Sequence, residues 1–375
     1  MANILDYLRW RSDLTLWQYP LCEVDNLVLS QLANLRWEKM LQTDEQPTLG
    51  DLWPRIEGRD FVQGITANDD RQLLSLTSQS ERFRHTCVCD YVHTPNEQED
   101  KAFSAVTFLL CDDSVFVSFR GREGKQMGWK EDFDFCLPTP TPSQLQAQRY
   151  LRNMLEAFPT YPFYVGGYSK GGNLALYAAA TLPGKMQHRL KAVYSYDAPG
   201  LSDTIFLSEN YKRLELILHA FVPQSSIIGM VLTHPNVYTV VRSNSISALQ
   251  QNPYTWLVEQ RKFVREKKLH SSSVSIERVL KKGLSEMDDD HRRGFVNSLF
   301  DVLESTEAKT FGKDFWMVIL HNPKEIIATI KGIDSNTRQM LTATILAIAN
   351  VATQYLEPQG EENEKISRME DKKNG

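Results

Sequence analysis

Apolar residues follow two different spacings along this chain. Residues 26–36 place leucine and valine at helical intervals, so the region 1–45 is predicted to be helical, and 70–83 is a second predicted helix. The runs 103–110 and 114–119 are instead rich in β-branched and aromatic residues, and a short Cys-Asp-Asp segment joins them. This second pattern predicts a hairpin of two strands.

Strand-like and helix-like segments alternate after about residue 143. Ser143 is the expected N-cap of a helix that stops before Pro159. The remaining strand-like runs are short and apolar, and they fall at 164–165, 191–196, 214–222 and 237–242. Strands that alternate with helices predict an α/β protein with a mainly parallel sheet and helices on both faces.

The chain beyond about residue 257 is predicted to be helical and charged. Candidate helices are 275–282, 291–304 and 336–355. The basic run 261–268 is predicted to be the solvated face of a helix, with contact to nucleic acid or a membrane as the alternative. The segment 358–375 is polar without apolar periodicity, so we expect a disordered tail.

Composition narrows the class of protein. The 375 residues are 42% hydrophobic and 24% charged, with a net charge of −5, which is typical of a globular protein and gives no reason to expect a nucleic-acid partner. The N-terminus lacks the apolar core of a signal peptide, and the most apolar stretch is too short for a membrane helix, so we expect a cytoplasmic protein without an integral membrane segment.

The cysteines indicate free thiols. The chain has 5 of them, an odd number, at scattered positions. Cys87 and Cys89 lie closer together than the C-x-x-C spacing of zinc and redox sites. We therefore expect buried or partly buried thiols in a reducing compartment.

The candidate chemistry lies at 167–171, which has the sequence Gly-Tyr-Ser-Lys-Gly and the form G-x-S-x-G. An apolar run precedes it and a good helix former follows it, so the predicted context is strand, sharp turn and helix. In that context Ser169 is a nucleophile, and the backbone N–H of Lys170 points to the space where an oxyanion forms. The alternative is an ordinary turn whose serine caps the helix.

Several segments together resemble a known family. They are the elbow at 167–171, Phe-Arg-Gly-Arg at 119–122, Trp-Lys-Glu-Asp-Phe at 129–133, Tyr-Asp-Ala-Pro-Gly at 196–200, and shorter matches at 25–32, 223–229 and 253–256. This set, which extends over roughly residues 1–310, resembles a bacterial domain family of unknown function that is similar to class 3 lipases of the α/β-hydrolase superfamily. The resemblance implies an α/β-hydrolase core over 60–260, a helical N-terminal extension over 1–59 and a helical C-terminal region over 261–357.

The resemblance also implies an oxyanion hole. In class 3 lipases the segment F-R-G-[ST] supplies the first donor through its last residue, a position that Arg122 occupies here. The second donor is then the N–H of Lys170. Arg122 replaces a hydroxyl with a cation, which could stabilise an oxyanion, bind an anionic substrate or block entry, or could simply be a surface arginine.

Two positions depart from the lipase pattern. The family places a histidine before Pro-x-x-Trp, where this chain has Gln251, and glutamine has no basic nitrogen to take a proton from serine. Class 3 lipases place their acid in D-x-V-P, where this chain has Ala220. A serine without a base is a poor nucleophile.

Other residues could replace the missing partners. Asp197 directly follows a predicted strand, where it could be the acid or a turn-forming residue. His234 lies in a loop between two predicted strands and is the candidate base, and His219 is a weaker candidate. Three histidines are less suitable because of their position in the chain: His85, His93 and His188.

The predicted function is a lipase- or esterase-like serine hydrolase that acts on a carboxylic ester, either a small molecule or a lipid-like one, through an acyl-enzyme on Ser169. The alternative is a catalytically degenerate scaffold that serves as a binding or regulatory module. The sequence has no cluster of metal ligands and no G-x-G-x-x-G or Walker A loop, so we expect no cofactor and no metal.

Overall fold

The computed structural model of the protein describes most of the first 270 residues and a few later ones. The described residues are 2–41, 45–62, 64, 66–96, 101–121, 135, 139–226, 229, 238–245, 247–270, 273–274, 278, 335, 338–343 and 346. The predicted tail at 358–375 and most of the predicted helical region at 261–357 lie outside them.

Helices and strands alternate over much of this range. The helices are α1 (Ile4–Arg11), α2 (Glu23–Leu32), α3 (Leu49–Ile56), α4 (Ala67–Gln79), α5 (Pro142–Ala157), α6 (Lys170–Ala180), α7 (Gly184–Gln187), α8 (Asp203–Phe206) and α9 (Glu209–Leu214). The strands are β1 (Cys87–Asn96), β2 (Lys101–Leu109), β3 (Val115–Phe119), β4 (Phe163–Tyr168), β5 (Leu190–Tyr196), β6 (Leu218–Pro223), β7 (Thr239–Val241), β8 (Val258–Glu259), β9 (Lys262–Phe263) and β10 (Arg265–Glu266).

One mixed sheet forms the centre of the described structure. Its strand order is β1-β2-β3-β4-β5-β6-β7-β10. Strands β1, β2 and β3 pair antiparallel, β3 to β7 pair in parallel, and β10 closes the far edge antiparallel to β7. The carboxyl ends of the parallel strands therefore meet along one edge, where ligands bind in open α/β sheets.

Helices cover both faces of this sheet, so the predicted α/β fold class, a mainly parallel sheet between helices, is confirmed. Helices α1 to α4 pack on one face, in a cluster that includes Trp37, Phe108 and Trp256. Helices α5, α6 and α9 pack on the other face, around Phe119, Phe163 and residues of α6. Because β3 is buried on both faces, all five of its residues are buried and its sequence lacks polar alternation.

Residues of helices α1 to α3 lie in the same hydrophobic cluster as residues of the sheet. The boundaries of the core domain at residues 60 and 260 remain predictions. Among the residues that the structure describes, no helix is long and apolar enough to cross a lipid bilayer.

Two predicted boundaries were wrong for local reasons. The N-cap of α5 is Thr141 rather than Ser143, because Thr141 and Gln144 exchange side-chain bonds to each other's backbone N–H at 3.2 and 3.0 Å. The strand predicted to begin at residue 214 begins at Leu218, because α9 and one turn of 3-10 helix occupy the preceding residues.

The basic run at 261–268 was also misjudged, because it forms β9 and β10 rather than a solvated helix face. Phe263 is 2% exposed, whereas Lys262 before it is exposed, as expected for adjacent residues of a strand. The Arg261 guanidinium lies 3.5 Å from the Tyr19 ring centroid, so this cation packs on the protein's own surface. Strand β1, with its mixture of polar and apolar residues, was not predicted.

A buried ion pair between Arg82 and Asp25 stabilises the segment between α1 and α2. Arg82 Nε donates to Asp25 Oδ1 at 2.8 Å and Nη2 to Asp25 Oδ2 at 2.5 Å, and both side chains are 0% exposed. Tyr7 donates its hydroxyl proton to the same carboxylate at 2.8 Å. The guanidinium also donates to backbone carbonyls of the segment, those of Leu14, Thr15, Tyr19 and Pro20.

We expect Arg82→Met to lower the free energy of unfolding by about 3–5 kcal/mol, because it leaves the Asp25 carboxylate buried without a counter-charge. The matched control is Arg84→Met, since Arg84 is exposed and forms an exposed pair with Glu81 at 3.0 Å. That change should cost less than about 1 kcal/mol. Urea denaturation of both variants measures the difference, and equal losses would contradict this assignment.

Candidate active site

Ser169 occupies a strained turn between β4 and α6. Its backbone has φ 53° and ψ −125°, a conformation that costs a non-glycine residue roughly 1–3 kcal/mol. Its N–H donates to the Tyr196 carbonyl at 2.8 Å, and its side chain makes no capping bond to α6. The predicted strand, turn and helix are therefore present, and the alternative of a capping serine is wrong.

Glycines permit this turn by allowing direct backbone contact. A Cβ added to Gly171 would lie less than 3.0 Å from the Phe119 carbonyl oxygen, and one added to Gly121 would meet the Tyr168 carbonyl oxygen. A Cβ on Gly167 would likewise meet the backbone of Gly171. The ends of β3 and β4 and the first turn of α6 thus touch through main-chain atoms.

The first turn of α6 directly follows Ser169. Lys170 is the first residue of α6, and the N–H groups of a helix's first turn have no acceptor within the helix. Its side chain is 1% exposed. The helix dipole adds partial positive charge at this end. An oxyanion role for the Lys170 N–H fits this position and remains a prediction.

The other predicted donor, Arg122, lies outside the described residues. The chain just before it is fixed: the Gly121 N–H donates to Asn34 Oδ1 at 3.1 Å. The Arg120 guanidinium, in a side chain 5% exposed, donates to carbonyls of the α2 end, including that of Ala33 at 3.2 Å. The segment is therefore held beside the elbow up to residue 121.

Asp197 lies at the end of β5, next to the elbow. Tyr168 and Tyr196 are paired in the β4–β5 ladder, so Ser169 and Asp197 follow equivalent positions on neighbouring strands about 5 Å apart. Asp197 is 1% exposed and has φ 45°. The backbone is thus that of a tight turn, and the carboxyl group is buried.

The partners of the Asp197 carboxylate come from the loop after β6. Ser226 Oγ donates to Oδ1 at 2.5 Å, and the Gly229 N–H also donates to the side chain. Burial raises the Asp197 pKa to about 6, and the two donors oppose part of that rise. Neither partner is a histidine, so a triad role for Asp197 remains a prediction.

Gln251 is brought next to the elbow at the end of a 3-10 turn (Ser247–Gln251). Tyr168, the residue before the nucleophile, donates its hydroxyl proton to the Gln251 carbonyl. Gln250 fixes the turn, since it accepts from the Ser225 N–H at 2.9 Å and donates to the Ser245 carbonyl at 3.0 Å. The Gln251 Nε2 is buried without a hydrogen-bond partner among the described atoms.

His219, the weaker candidate base, lies in β6 and away from Ser169. His219 pairs with Tyr194, level with Gly166, which places it three residues, or about 10 Å, before Ser169 along the sheet. Its ring stacks on Tyr194 at 4.8 Å, and burial lowers its pKa. His234 lies outside the described residues.

The three histidines judged less suitable from the sequence either contact another side chain or are exposed. His93 Nδ1 lies 2.6 Å from Ser104 Oγ on the β1–β2 hairpin, and His85 and His188 are exposed.

Sequence reasoning missed the polar residues that connect these parts. Ser226 and Gln250 have no spacing or motif that assigns them a partner, because their bonds join segments about 25–29 residues apart. No group of three or more potential metal ligands occurs in the described portion of the chain.

We expect Gly171→Ala to destabilise the protein by about 3 kcal/mol or more, because its methyl group would collide with the Phe119 carbonyl. Gly184→Ala is the control, since its nearest neighbour would be the flexible Arg213 side chain at 3.5 Å. The control should stay within about 1 kcal/mol of the wild type. Thermal and urea unfolding test this, and comparable losses in both variants would contradict it.

Asp197→Asn should change how stability depends on pH. Folded Asp197 holds its proton up to about pH 6, against 3.8 in the unfolded chain, so its contribution to stability falls as pH rises between these values. A rise of about two pKa units corresponds to about 3 kcal/mol. Between pH 4 and pH 7 the free energy of unfolding of the wild type should therefore fall by up to about 3 kcal/mol relative to that of Asp197→Asn. Urea unfolding of both proteins measures this difference. A difference that is constant, or that moves the other way, would contradict the raised pKa.

No curated protein matches this chain. Among solved structures, a mutant form of MDLA from Penicillium cyclopium is 13% identical, with 66% of this chain and 86% of that chain covered and a TM-score of 0.40. Lipase II from Rhizopus niveus is 14% identical, with 60% and 81% covered and a TM-score of 0.37.

A Rhizomucor miehei lipase in complex with its propeptide is 14% identical, with 42% of this chain and only 57% of that chain covered and a TM-score of 0.30. The model of the family described as Mbeg1-like matches residues 77–301, which is more than half of the chain. The resemblance found in the sequence is confirmed: the chain belongs to the Mbeg1-like family, a class 3 lipase-like family.

Proposed function

We propose that this protein is a lipase- or esterase-like serine hydrolase in which Ser169 attacks the carbonyl carbon of a carboxylic ester. The observation that carries the proposal is the elbow, where a serine is held at φ 53° with its side chain free of any capping bond. Backbone strain of this kind persists only where the surrounding structure enforces it, and it concentrates at functional sites.

The proposed reaction proceeds through an acyl-enzyme. Ser169 Oγ attacks the ester carbonyl while a base takes its proton, and the N–H groups of Lys170 and Arg122 hold the oxyanion. The alcohol leaves with that proton, and water then releases the acid and restores Ser169. One such donor contributes roughly 3–4 kcal/mol to lowering the barrier.

In the proposed triad His234 is the base and Asp197 is the acid. Their order after Ser169 in the chain is that of α/β-hydrolase triads. Asp197 is buried at the carboxyl edge, and its pKa of about 6 makes it a carboxylate at neutral pH. Membership of a class 3 lipase-like family supports an ester, and a lipid-like one, as the substrate class.

Gln251 favours a second candidate, a scaffold that binds a ligand without hydrolysing it. Its backbone is anchored to Tyr168 beside the nucleophile, at the position where the lipase pattern places the base. Its amide can donate hydrogen bonds but cannot accept the serine proton. If His234 does not reach Ser169, loss of the base lowers turnover by several orders of magnitude.

A fluorophosphonate probe separates the two candidates. The proposal predicts covalent labelling of the tryptic peptide 153–170, which contains Ser169 and ends at Lys170. Ser169→Ala should abolish the label. Ser202→Ala should leave it unchanged, since Ser202 precedes α8 and makes no capping bond.

Circular dichroism establishes that each variant is folded before labelling. A folded wild type that is not labelled at Ser169 would contradict the assignment of the protein as a serine hydrolase. If a long-chain fatty acid still raises the melting temperature of that unlabelled protein, the binding scaffold is supported instead.

A further inference from the structure

Two cysteines lie side by side on an edge strand of the sheet. Cys87 and Cys89 are in β1, the outermost strand at that edge. The β1–β2 ladder shifts register between Val88 and Asp90, which leaves Cys89 as the extra residue of a β-bulge. The bulge interrupts the regular alternation of side chains at this point of β1.

The Cys89 thiol contacts the backbone of Cys87, and the two thiols affect each other's pKa. Cys89 Sγ lies 3.6 Å from the Cys87 carbonyl oxygen, to which it donates, and Cys87 Sγ donates to the Gln46 carbonyl at 3.3 Å. The Cys89 S–H also bonds the Cys87 sulfur, which lowers the pKa of Cys87 to about 7 and raises that of Cys89. Burial and the nearby Asp51 carboxylate oppose the lowering without cancelling it.

This arrangement meets the requirements of a reactive pair. A large share of Cys87 is thiolate at neutral pH, and the thiolate is the form that reacts with oxidants. Cys87 is only partly buried, whereas Cys89 is 9% exposed. Two strand residues separate their Cα atoms by at most about 6.6 Å, within the range of about 4.4–6.8 Å that a disulfide spans, and the bulge bends the strand further.

We propose that Cys87 and Cys89 form an oxidative modification site that reacts with hydroperoxides and closes reversibly into a disulfide. The Cys87 thiolate attacks the peroxide O–O bond, forms a sulfenic acid and releases hydroxide or an alkoxide. The Cys89 sulfur then displaces the hydroxyl group, which leaves as water with the Cys89 proton. Two thiols are oxidised and one peroxide is reduced, and a thiol reductant reverses the change.

The site is separate from the proposed hydrolase site. Strand β1 lies three strands from β4, or about 14 Å across the sheet. Closure removes the Cys87 bond to Gln46, in the segment that also pairs with β1 through Thr48 and Cys87. The first effect is therefore local, at the junction between α3 and the sheet.

Peptide mass spectrometry of the full chain tests the site. Trypsin releases residues 85–101, which contain Cys87, Cys89 and no other cysteine. Reduced protein treated with one equivalent of hydrogen peroxide at pH 7 and then alkylated should give this peptide about 2 Da below its dithiol mass, without alkylation. Dithiothreitol should restore two alkylatable thiols.

Variants distinguish a cooperating pair from two separate thiols. Cys89→Ser should yield a Cys87 sulfenic acid that dimedone traps, and Cys87→Ser should slow reaction with peroxide at least tenfold. Cys111→Ser is the matched control and should still give the disulfide. Unchanged dithiol in the folded wild type, or a Cys87 sulfinic acid about 32 Da heavier beside an alkylatable Cys89, would overturn the proposal.

Discussion

Main-chain contact between β3, β4 and α6 is the constraint on which the site depends. At Gly121, Gly167 and Gly171 no Cβ fits, because each approaches the backbone of another element. This close approach forces Ser169 into its positive-φ turn and places the first turn of α6 directly above the end of β4. The glycines of the G-x-S-x-G motif are therefore required for backbone packing, whatever the chemistry of Ser169.

A chain of polar contacts surrounds the elbow. Asp197 accepts from Ser226, the neighbouring Ser225 N–H donates to Gln250, and Gln251 accepts from Tyr168. On the opposite side of the elbow, Asn173 of α6 donates to the Gly200 carbonyl at 2.5 Å and accepts from Gln144 of α5 at 3.0 Å. Buried hydrogen bonds therefore connect the carboxyl ends of β4, β5 and β6. Removing one partner of such a bond is costly because the other partner is left buried and unsatisfied.

The sequence predicted those features whose causes are local. The elbow, the β2–β3 hairpin and the alternation of strands with helices follow from turn chemistry and apolar period. It did not predict β9 and β10, whose strands depend on long-range packing of Phe263, or the partner of Asp197, which lies 29 residues away in Ser226. His234 and Arg122, which lie outside the described residues, remain predictions from the sequence.

Trapping the acyl-enzyme tests the central claim most directly. Protein mixed with p-nitrophenyl butyrate and quenched in acid should carry an adduct of about 70 Da on the peptide 153–170, or should release nitrophenol continuously if deacylation is fast. Folded Ser169→Ala should do neither. A folded wild type that shows no adduct, and no nitrophenol release above that of Ser169→Ala, would contradict the assignment of Ser169 as a nucleophile.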